Sequence, residues 1–217
     1  MNAPFRPSLA CVRVSALDQT DELRRIEGFL AAHPHATPFH RPAWLLATAR
    51  GTGNRACALL LERGGQLIGY LPLLEVHSPL FGGMLASSGF GVGGGVLVDE
   101  GEDPAPLFAA LEELALRRSC PAAELRGGPL PDGREGWKVR FDSHCGFVAP
   151  LAADDEAQLL AIPRKQRAEV RKGLSSDLTV EIGRSSAVRA AHYAVYAESV
   201  RNLGTPVFPR RLFAEVL

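Results

Sequence analysis

Hydrophobic residues change their spacing several times along this chain. Cys11 to Val14 is a short run of strand type. Asp18 then stands where a helix cap belongs, and Leu23, Ile26 and Leu30 recur at i, i+3 and i+7. Pro42 to Arg50 predicts a second, short helix with Trp44 and Leu45 as core anchors. Ala56 to Glu62 is apolar and strand-like, Arg63-Gly64-Gly65 is a turn, and Gln66 to Val76 returns, so a hairpin is expected. Pro72 interrupts the return strand and predicts a bulge or an edge there, because proline cannot donate to a ladder.

Beyond a glycine-rich stretch, Ser87 to Gly95, Val96-Leu97-Val98 reads as a buried strand. Pro104 and Pro106 open a helix carrying Leu107, Leu111, Leu114 and Ala115, and Ala122 to Arg126 is a further strand. Gly127 to Gly136 is a loop; Trp137 to Phe141 and Phe147 to Leu151 suggest another hairpin. A basic helix is expected from about Asp155 to Gly173, with Pro163 inside it or at its true start. The opening order then recurs. Leu178 to Ile182 alternates like a strand, Ser185 or Ser186 caps a helix with Val188, Ala191, Val195 and Val200, and the loop Asn202 to Pro209 leads into a helix cut short at Leu217. Strand, helix, helix is also how the first 50 residues run. The expected domains are therefore a first lobe over 1–153, a basic helical connector over 154–176 and the start of a second, truncated lobe over 177–217.

Composition adds little until charge is placed along the chain. With 46% hydrophobic and 22% charged residues, the chain has the make-up of a soluble globular protein. Its 24 basic and 24 acidic side chains cancel, which argues against a general nucleic-acid binder. Against that neutral background, five of the nine residues from Arg164 to Lys172 are basic and one is acidic. At helical spacing Arg164, Arg167 and Arg171 share a face, with Lys165 and Lys172 beside them. Guanidinium forks match phosphate oxygens and ammonium adds point charge, so the stripe is a candidate phosphate contact. A solvated helix face is the other account of such a run. No aromatic residue interleaves it, which disfavours single-stranded nucleic acid.

Four widely spaced cysteines form no C-x-x-C pair, so neither a zinc site nor a disulfide framework is expected. Met1 to Ala10 lacks the apolar core of a signal peptide, and no run reaches the roughly 20 apolar residues of a membrane span. A cytoplasmic protein is expected, with contact at the inner face of the membrane left open. Gly89-Phe90-Gly91-Val92-Gly93-Gly94 formally matches G-x-G-x-x-G, but a strand rather than a helix follows, so a dinucleotide site is not expected. His33, His35 and His40 have no acid or thiol at useful spacing and read as a polar loop rather than a metal site. Asp99, Glu100, Glu102 and Asp103 suit a helix N-terminus.

Phe39-His40-Arg41-Pro42-Ala43-Trp44, Gly69-Tyr70-Leu71-Pro72-Leu73, Phe81-Gly82 with Gly93-Gly94-Gly95, and Glu124-Leu125-Arg126 occur in an order shared with a known family. Ile162 to Lys172, and Tyr196 with Ser199-Val200-Arg201-Asn202-Leu203-Gly204-Thr205-Pro206-Val207-Phe208-Pro209, are the most specific pieces. From about residue 37 onward the chain resembles the FemAB-like branch of the GNAT acyltransferase superfamily, especially the FemAB-type proteins linked to exosortase (PEP-CTERM) systems. The resemblance implies an α+β fold, a GNAT-like mixed sheet flanked by helices, in tandem lobes with the second incomplete. It also implies acyl or aminoacyl transfer in cell-envelope or exopolysaccharide biosynthesis. Relatives of the FemABX type move an aminoacyl group from aminoacyl-tRNA to an amine on a lipid-linked peptidoglycan precursor. A noncatalytic lobe that recognises a phosphorylated glycan or a protein partner is the alternative.

A GNAT lobe holds acyl-CoA pyrophosphate on backbone N–H groups between a central strand and the next helix. In the first lobe that place is Val98 to Asp103, which presents carboxylates. Like charges so placed repel by roughly several kcal/mol. The first lobe is therefore expected to bind no coenzyme A, and the donor, acyl-CoA or aminoacyl-tRNA, belongs elsewhere. The expected acceptor is a phosphorylated or lipid-linked glycan. Lys165, Arg167, Arg171 and Lys172 are the candidate phosphate contacts. Tyr196, Ser199, Arg201 and Thr205 are the candidates for the rest of the substrate site, with Tyr193 on the same helical face as Tyr196 and Ser199. No Glu–His or Asp–His partnership points to a general base.

Overall fold

The computed structural model describes residues 9–78, 80, 82–141 and 144–217. Phe81, one of the residues carrying the family resemblance, lies outside them. The chain forms two compact units, Met1–Trp137 with Arg184–Leu217, and Lys138–Gly183.

The first unit is built on a six-stranded mixed sheet. Its elements are β1 (Cys11–Ser15), α1 (Thr20–Ala32), a 3-10 turn (Pro38–His40), α2 (Pro42–Thr52), β2 (Arg55–Arg63), β3 (Gln66–Ser78), β4 (Gly82–Ser87), β5 (Leu97–Val98), α3 (Ala105–Arg117) and β6 (Ala122–Glu124). Strand order is β1-β2-β3-β4-β6, with β5 also on β3. All pairs are antiparallel except β4 with β6, which α3 connects as a crossover helix.

The central hairpin is apolar on both sides because both faces of the sheet are covered. Cys57, Leu59 and Leu61 pack with Leu107, Phe108, Leu111 and Leu114 of α3. Ala58 and Leu60, pointing the other way, pack with Ile26 and Leu30 of α1 and Leu45 of α2. Each leucine so buried contributes about 2 kcal/mol. The same burial pushes the Cys57 thiol up to about 11, so it is an inert core residue.

Pro72 faces Ala58 of β2, but β5 accompanies β3 only at Gly69–Tyr70 and β4 only from Leu73 onward. Pro72 thus sits at a local edge inside the sheet, where that ladder is interrupted. The bulge itself lies earlier in β3, at Ile68, the extra residue where the register shifts between Leu61 and Glu62. Asp18 does not cap α1. The chain is still turning at Leu17, whose φ is 59° and whose N–H donates to Ser15 Oγ, so Gln19 occupies the cap without a side-chain bond.

After residue 183 the first unit resumes with α6 (Ser186–Asn202) and α7 (Arg210–Val216). Ser185 caps α6, its hydroxyl accepting from Val188 N–H at 3.2 Å. α7 crosses α2 at Gly51, where a Cβ would lie 2.6 Å from Leu212 Cα. The crossing needs a residue without a side chain, and it buries Leu212. Arg50 Nε donates to Glu215 Oε2 across it at 2.7 Å.

In the second unit the expected basic helix is two helices, α4 (Asp155–Ala161) and α5 (Arg164–Leu174), broken at Ile162-Pro163. Pro163 is the residue before the first helical one rather than the first itself. No strand forms between Trp137 and Leu151 or between Leu178 and Ile182 among the described residues. Phe147, Val148, Leu178, Val180 and Ile182 are exposed. Alternation alone does not make a strand, since an extended segment needs a ladder to satisfy its backbone.

The α2–α7 crossing makes a direct prediction. Gly51→Val should destabilise the protein by about 2 kcal/mol through overpacking, whereas Arg50→Ala, which removes a half-exposed ion pair, should cost about 0.5 kcal/mol or less. Urea denaturation of both variants measures the difference; equal midpoints would show that α7 does not rest on α2.

Candidate functional site

Parallel pairing of β4 with β6 ends at Ala86 and Glu124. One residue on, the ladder is replaced by a side chain, with Arg126 N–H donating to the buried Ser87 Oγ at 2.8 Å. The chain then leaves the sheet. Ser88 and Phe90 have left-handed φ values of 47° and 63°, rare for residues with side chains and costly unless the surroundings hold them. Here Ser88 Oγ donates to Phe39 O at 2.6 Å and Arg126 Nη1 donates to Gly91 O at 3.1 Å. The excursion returns at Gly95, where a Cβ would lie 1.8 Å from Gly127 O. The glycine-rich segment is therefore a close backbone packing against the chain that leaves β6, and it opens no helix.

This packing forms one wall of a cavity of about 1190 Å³, bordered also by the end of α1, the turn after β2, β5 and the acidic loop. Its apolar lining includes Phe29, Leu67, Val98 and Pro129. His33 and His40 tie its rim together. His33 Nδ1 accepts from His35 N–H at 3.2 Å, leaving Nε2–H to donate to Val98 O at 2.9 Å. His40 Nδ1 accepts from Thr37 N–H at 3.0 Å, leaving Nε2–H to donate to Gly95 O at 3.1 Å. Burial pushes the His40 pKa down, consistent with this neutral form. With both ring nitrogens occupied, neither imidazole is free to take a proton from a substrate.

Charge on the cavity wall is unevenly compensated. Arg25 pairs with Glu62 at 2.7 Å and also donates to Gly65 O, while Glu102 is held by Arg63 at 2.7 Å. Asp103 Oδ1 accepts from Ala105 N–H and so caps the start of α3. Asp99 and Glu100 line the cavity with no ion-pair partner among the described residues. Behind Gly128 and Pro129 the loop is clasped to α3. Arg134 and Trp137 donate to the Glu112 carboxylate at 2.8 and 2.7 Å, and these bonds hold its pKa at about 2.

The eight residues selected from sequence divide between the units. Lys165, Arg167, Arg171 and Lys172 lie on α5 in the second unit. Lys165, Arg171 and Lys172 are exposed and have no ion-pair partner among the described residues. Arg167 differs: it donates to Leu160 O and Ile162 O at 3.0 Å and closes the end of α4. Its guanidinium has a structural task at the Ile162-Pro163 break, for which arginine near a C-terminus is well suited.

Tyr196, Ser199, Arg201 and Thr205 lie in the first unit, on α6 and the loop after it. Thr205 N–H donates to Val200 O at 3.1 Å and Gly204 N–H to Arg201 O at 3.0 Å, with Gly204 at φ 71°. This pair of bonds is a Schellman stop, which accounts for the Gly-Thr-Pro sequence. The side chains of Ser199, Arg201 and Thr205 are exposed. Tyr193 OH donates to Phe208 O at 3.0 Å and Tyr196 OH accepts from Phe208 N–H at 3.3 Å, so the two tyrosines hold the backbone of Phe208 on both sides of its Cα. Phe208 in turn meets Phe90 edge to face at 5.1 Å. The strained turn at Ser88–Phe90 thereby positions the loop after α6. Sequence reasoning had no signal for this contact, because Phe90 and Phe208 are far apart in the chain; for the cavity its one signal was the glycine-rich stretch, read as able to line a cleft, of which Gly93 does so.

The tyrosine clamp is testable by hydrogen exchange. Tyr196→Phe should raise the exchange rate of the Phe208 amide by roughly fivefold, the loss of about 1 kcal/mol of hydrogen bonding, and leave the core amides of β2 and β3 unchanged. An unchanged Phe208 amide would remove the clamp.

No family model and no curated protein matches this sequence. Among solved structures, FemX is similar to it with a TM-score of 0.54 and 17% identity, over 89% of this chain and 52% of FemX. A ribosomal-protein-alanine N-acetyltransferase from Brucella melitensis biovar Abortus 2308 is similar over 82% of this chain and all of its own length, at 13% identity. The TM-score of that match, 0.37, is too low to carry an argument. The chain spans about half the length of FemX, and what it shares with FemX is the fold, a mixed sheet flanked by helices.

Proposed function

We propose that this chain belongs to an acyltransferase that moves an acyl or aminoacyl group onto an amine in the building of the cell envelope or an exopolysaccharide. The observation that carries the reading is the FemX-like fold over 89% of the chain. The ordered family segments support it, from Phe39–Trp44 through Tyr196–Pro209. The exosortase setting rests on that sequence resemblance alone. A second lobe opening at 177–217 rests on the sequence pattern alone: of its expected strand, helix, helix only the helices α6 and α7 form among the described residues, and both belong to the first unit.

In this reading the donor, acyl-CoA or aminoacyl-tRNA, is held outside the first lobe. The loop Asp99 to Asp103 supports this, since its carboxylates stand where a donor's pyrophosphate needs N–H groups and positive charge. Lys165, Arg171 and Lys172 are the phosphate contacts, and Arg167 supports them by fixing the α4–α5 junction. Tyr196 positions the loop carrying Arg201 and Thr205, and the acceptor meets that loop. The acceptor is a phosphorylated or lipid-linked glycan. No helix among the described residues is long and apolar enough to cross a membrane. Contact at the inner membrane face is therefore peripheral in this reading.

The test is transfer itself. With radiolabelled acyl-CoA or aminoacyl-tRNA as donor and an amine-bearing peptide as acceptor, label should appear in an amide that resists hydroxylamine. Label from neither donor would remove the transferase reading.

Lys165, Arg171 and Lys172, exposed on α5 beside Arg164 and without an ion-pair partner among the described residues, favour a second reading, a noncatalytic lobe that grips a phosphorylated glycan or protein. Lys165→Glu with Arg171→Glu and Lys172→Glu should then weaken binding of an anionic glycan by at least roughly a hundredfold without moving the unfolding midpoint. Arg167→Glu should instead lower the helicity of 155–174. Unaltered glycan affinity in the triple variant would free α5 of any phosphate role.

A further inference from the structure

We infer that α5 binds an acidic polysaccharide whose anionic groups recur once per disaccharide, which deepens the glycan-binding role given to this helix above and rests on it. The basis is a repeat inside the helix. Arg164-Lys165 and Arg171-Lys172 are the same dipeptide seven residues apart. One unbroken helix, Arg164–Leu174, carries both. Seven residues make two turns, about 10.5 Å along the axis. The two arginines therefore form one row along the helix and the two lysines a second row beside it. Ala168 is the midpoint of both diagonals, Arg164 to Lys172 and Lys165 to Arg171. Four cations thus frame a shallow saddle with a methyl group at its centre.

The chain itself makes no use of this frame. Arg164, Lys165, Ala168, Arg171 and Lys172 are all exposed. None of the four cations has an ion-pair partner among the described residues. Arg167, the other arginine of the helix, is spent on the carbonyls of Leu160 and Ile162 and lies outside the frame. Solvation of a helix face does not account for the arrangement. Arg164 and Lys165 stand in the first turn of α5, where the positive end of the helix repels cations, and no acidic residue offsets them there. The neighbouring α4 has the favourable order, with Asp155 and Glu156 in its first turn.

The spacing selects the ligand. A lone carboxylate or phosphate engages one Arg-Lys pair and leaves the other two turns away. Two anionic groups on one ligand engage both pairs, and the second contact is then intramolecular, which multiplies affinity. In an extended polysaccharide one disaccharide is of similar length to two helical turns. A chain with one carboxylate or phosphate per disaccharide therefore sets successive charges over the two pairs. The guanidinium fork fixes each anionic group by paired N–H···O bonds, and the ammonium adds charge. Ala168 leaves room for the sugar rings between them.

The test uses the intact chain without any donor. Fluorescein-labelled hyaluronan octasaccharide, which has one glucuronate per disaccharide, is titrated by anisotropy against the protein and against Ala168→Arg with Arg171→Ala. This double variant keeps the net charge and moves one cation from a corner of the frame to its centre. Both positions are exposed. Lys165→Ala with Ala168→Lys moves a lysine in the same way and guards against a local defect in the first variant. The unchanged protein should bind the octasaccharide roughly tenfold or more tightly than either variant, while inorganic pyrophosphate binds all three alike. Equal octasaccharide affinity in the three proteins would show that net charge alone matters and would overturn the inference. No octasaccharide binding, or tighter binding to phosphatidylglycerol vesicles with the same loss in both variants, would overturn it too. Octasaccharide binding that is lost when Lys165, Arg171 and Lys172 all become glutamate, yet is equal in the two rearranged variants, would leave α5 as a glycan contact and remove only the spacing. No acyl group moves in this experiment, so none of these outcomes bears on the transferase reading.

Discussion

Gly95 lies so close to Gly127 that a Cβ there would fall 1.8 Å from the Gly127 carbonyl oxygen, and a Cβ on Gly128 would fall 2.7 Å from the Val96 carbonyl oxygen. Two stretches of chain can approach in this way only without side chains. The contact ties the return from the glycine-rich excursion to the exit of β6. It therefore fixes where β5 re-enters the sheet beside Gly69 and Tyr70. From β5 the consequences spread outward. Val98 accepts the His33 ring bond that pins the end of α1, and Asp99 begins the acidic loop. The cavity is the space these placements leave between α1, β5 and Pro129. Further along, Ser87 binds the Arg126 amide in place of the next ladder bond, and the turn that follows presents Phe90 to Phe208. One close backbone approach thus shapes the cavity, and the turn beside it seats the loop after α6.

The elements that could be read in the sequence were those whose local pattern and tertiary surroundings agree. The β2–β3 hairpin announces itself through two nearly unbroken apolar runs on either side of Arg63-Gly64-Gly65, and α3 through Leu107, Leu111 and Leu114. Ser185 was legible as a cap because its hydroxyl has a single nearby use. Leu178 to Ile182 shows the opposite case. Its alternation is that of a strand, yet no ladder forms there among the described residues, so the pattern states a capacity and not a conformation. Arg167 was legible as a cation but not as a helix-end clamp, since its use depends on where Pro163 breaks the backbone. The histidines were read as a polar loop. Their backbone bonds to Val98 and Gly95 cross 65 and 55 residues, and no spacing rule reaches that far.

The acidic loop draws these threads together. A strand–loop–helix junction offers backbone N–H groups and the positive end of a helix dipole, which suit an anion. Here α3 begins at Ala105, but Asp103 already occupies its first free N–H, and Glu102 is bound to Arg63. The favourable end of the dipole is thus spent on a side chain of the chain itself. What faces the cavity is the pair Asp99 and Glu100, whose field opposes any phosphate that approaches. An arrangement of this kind selects by rejection as much as by attraction, because the field that favours a cation excludes an anion.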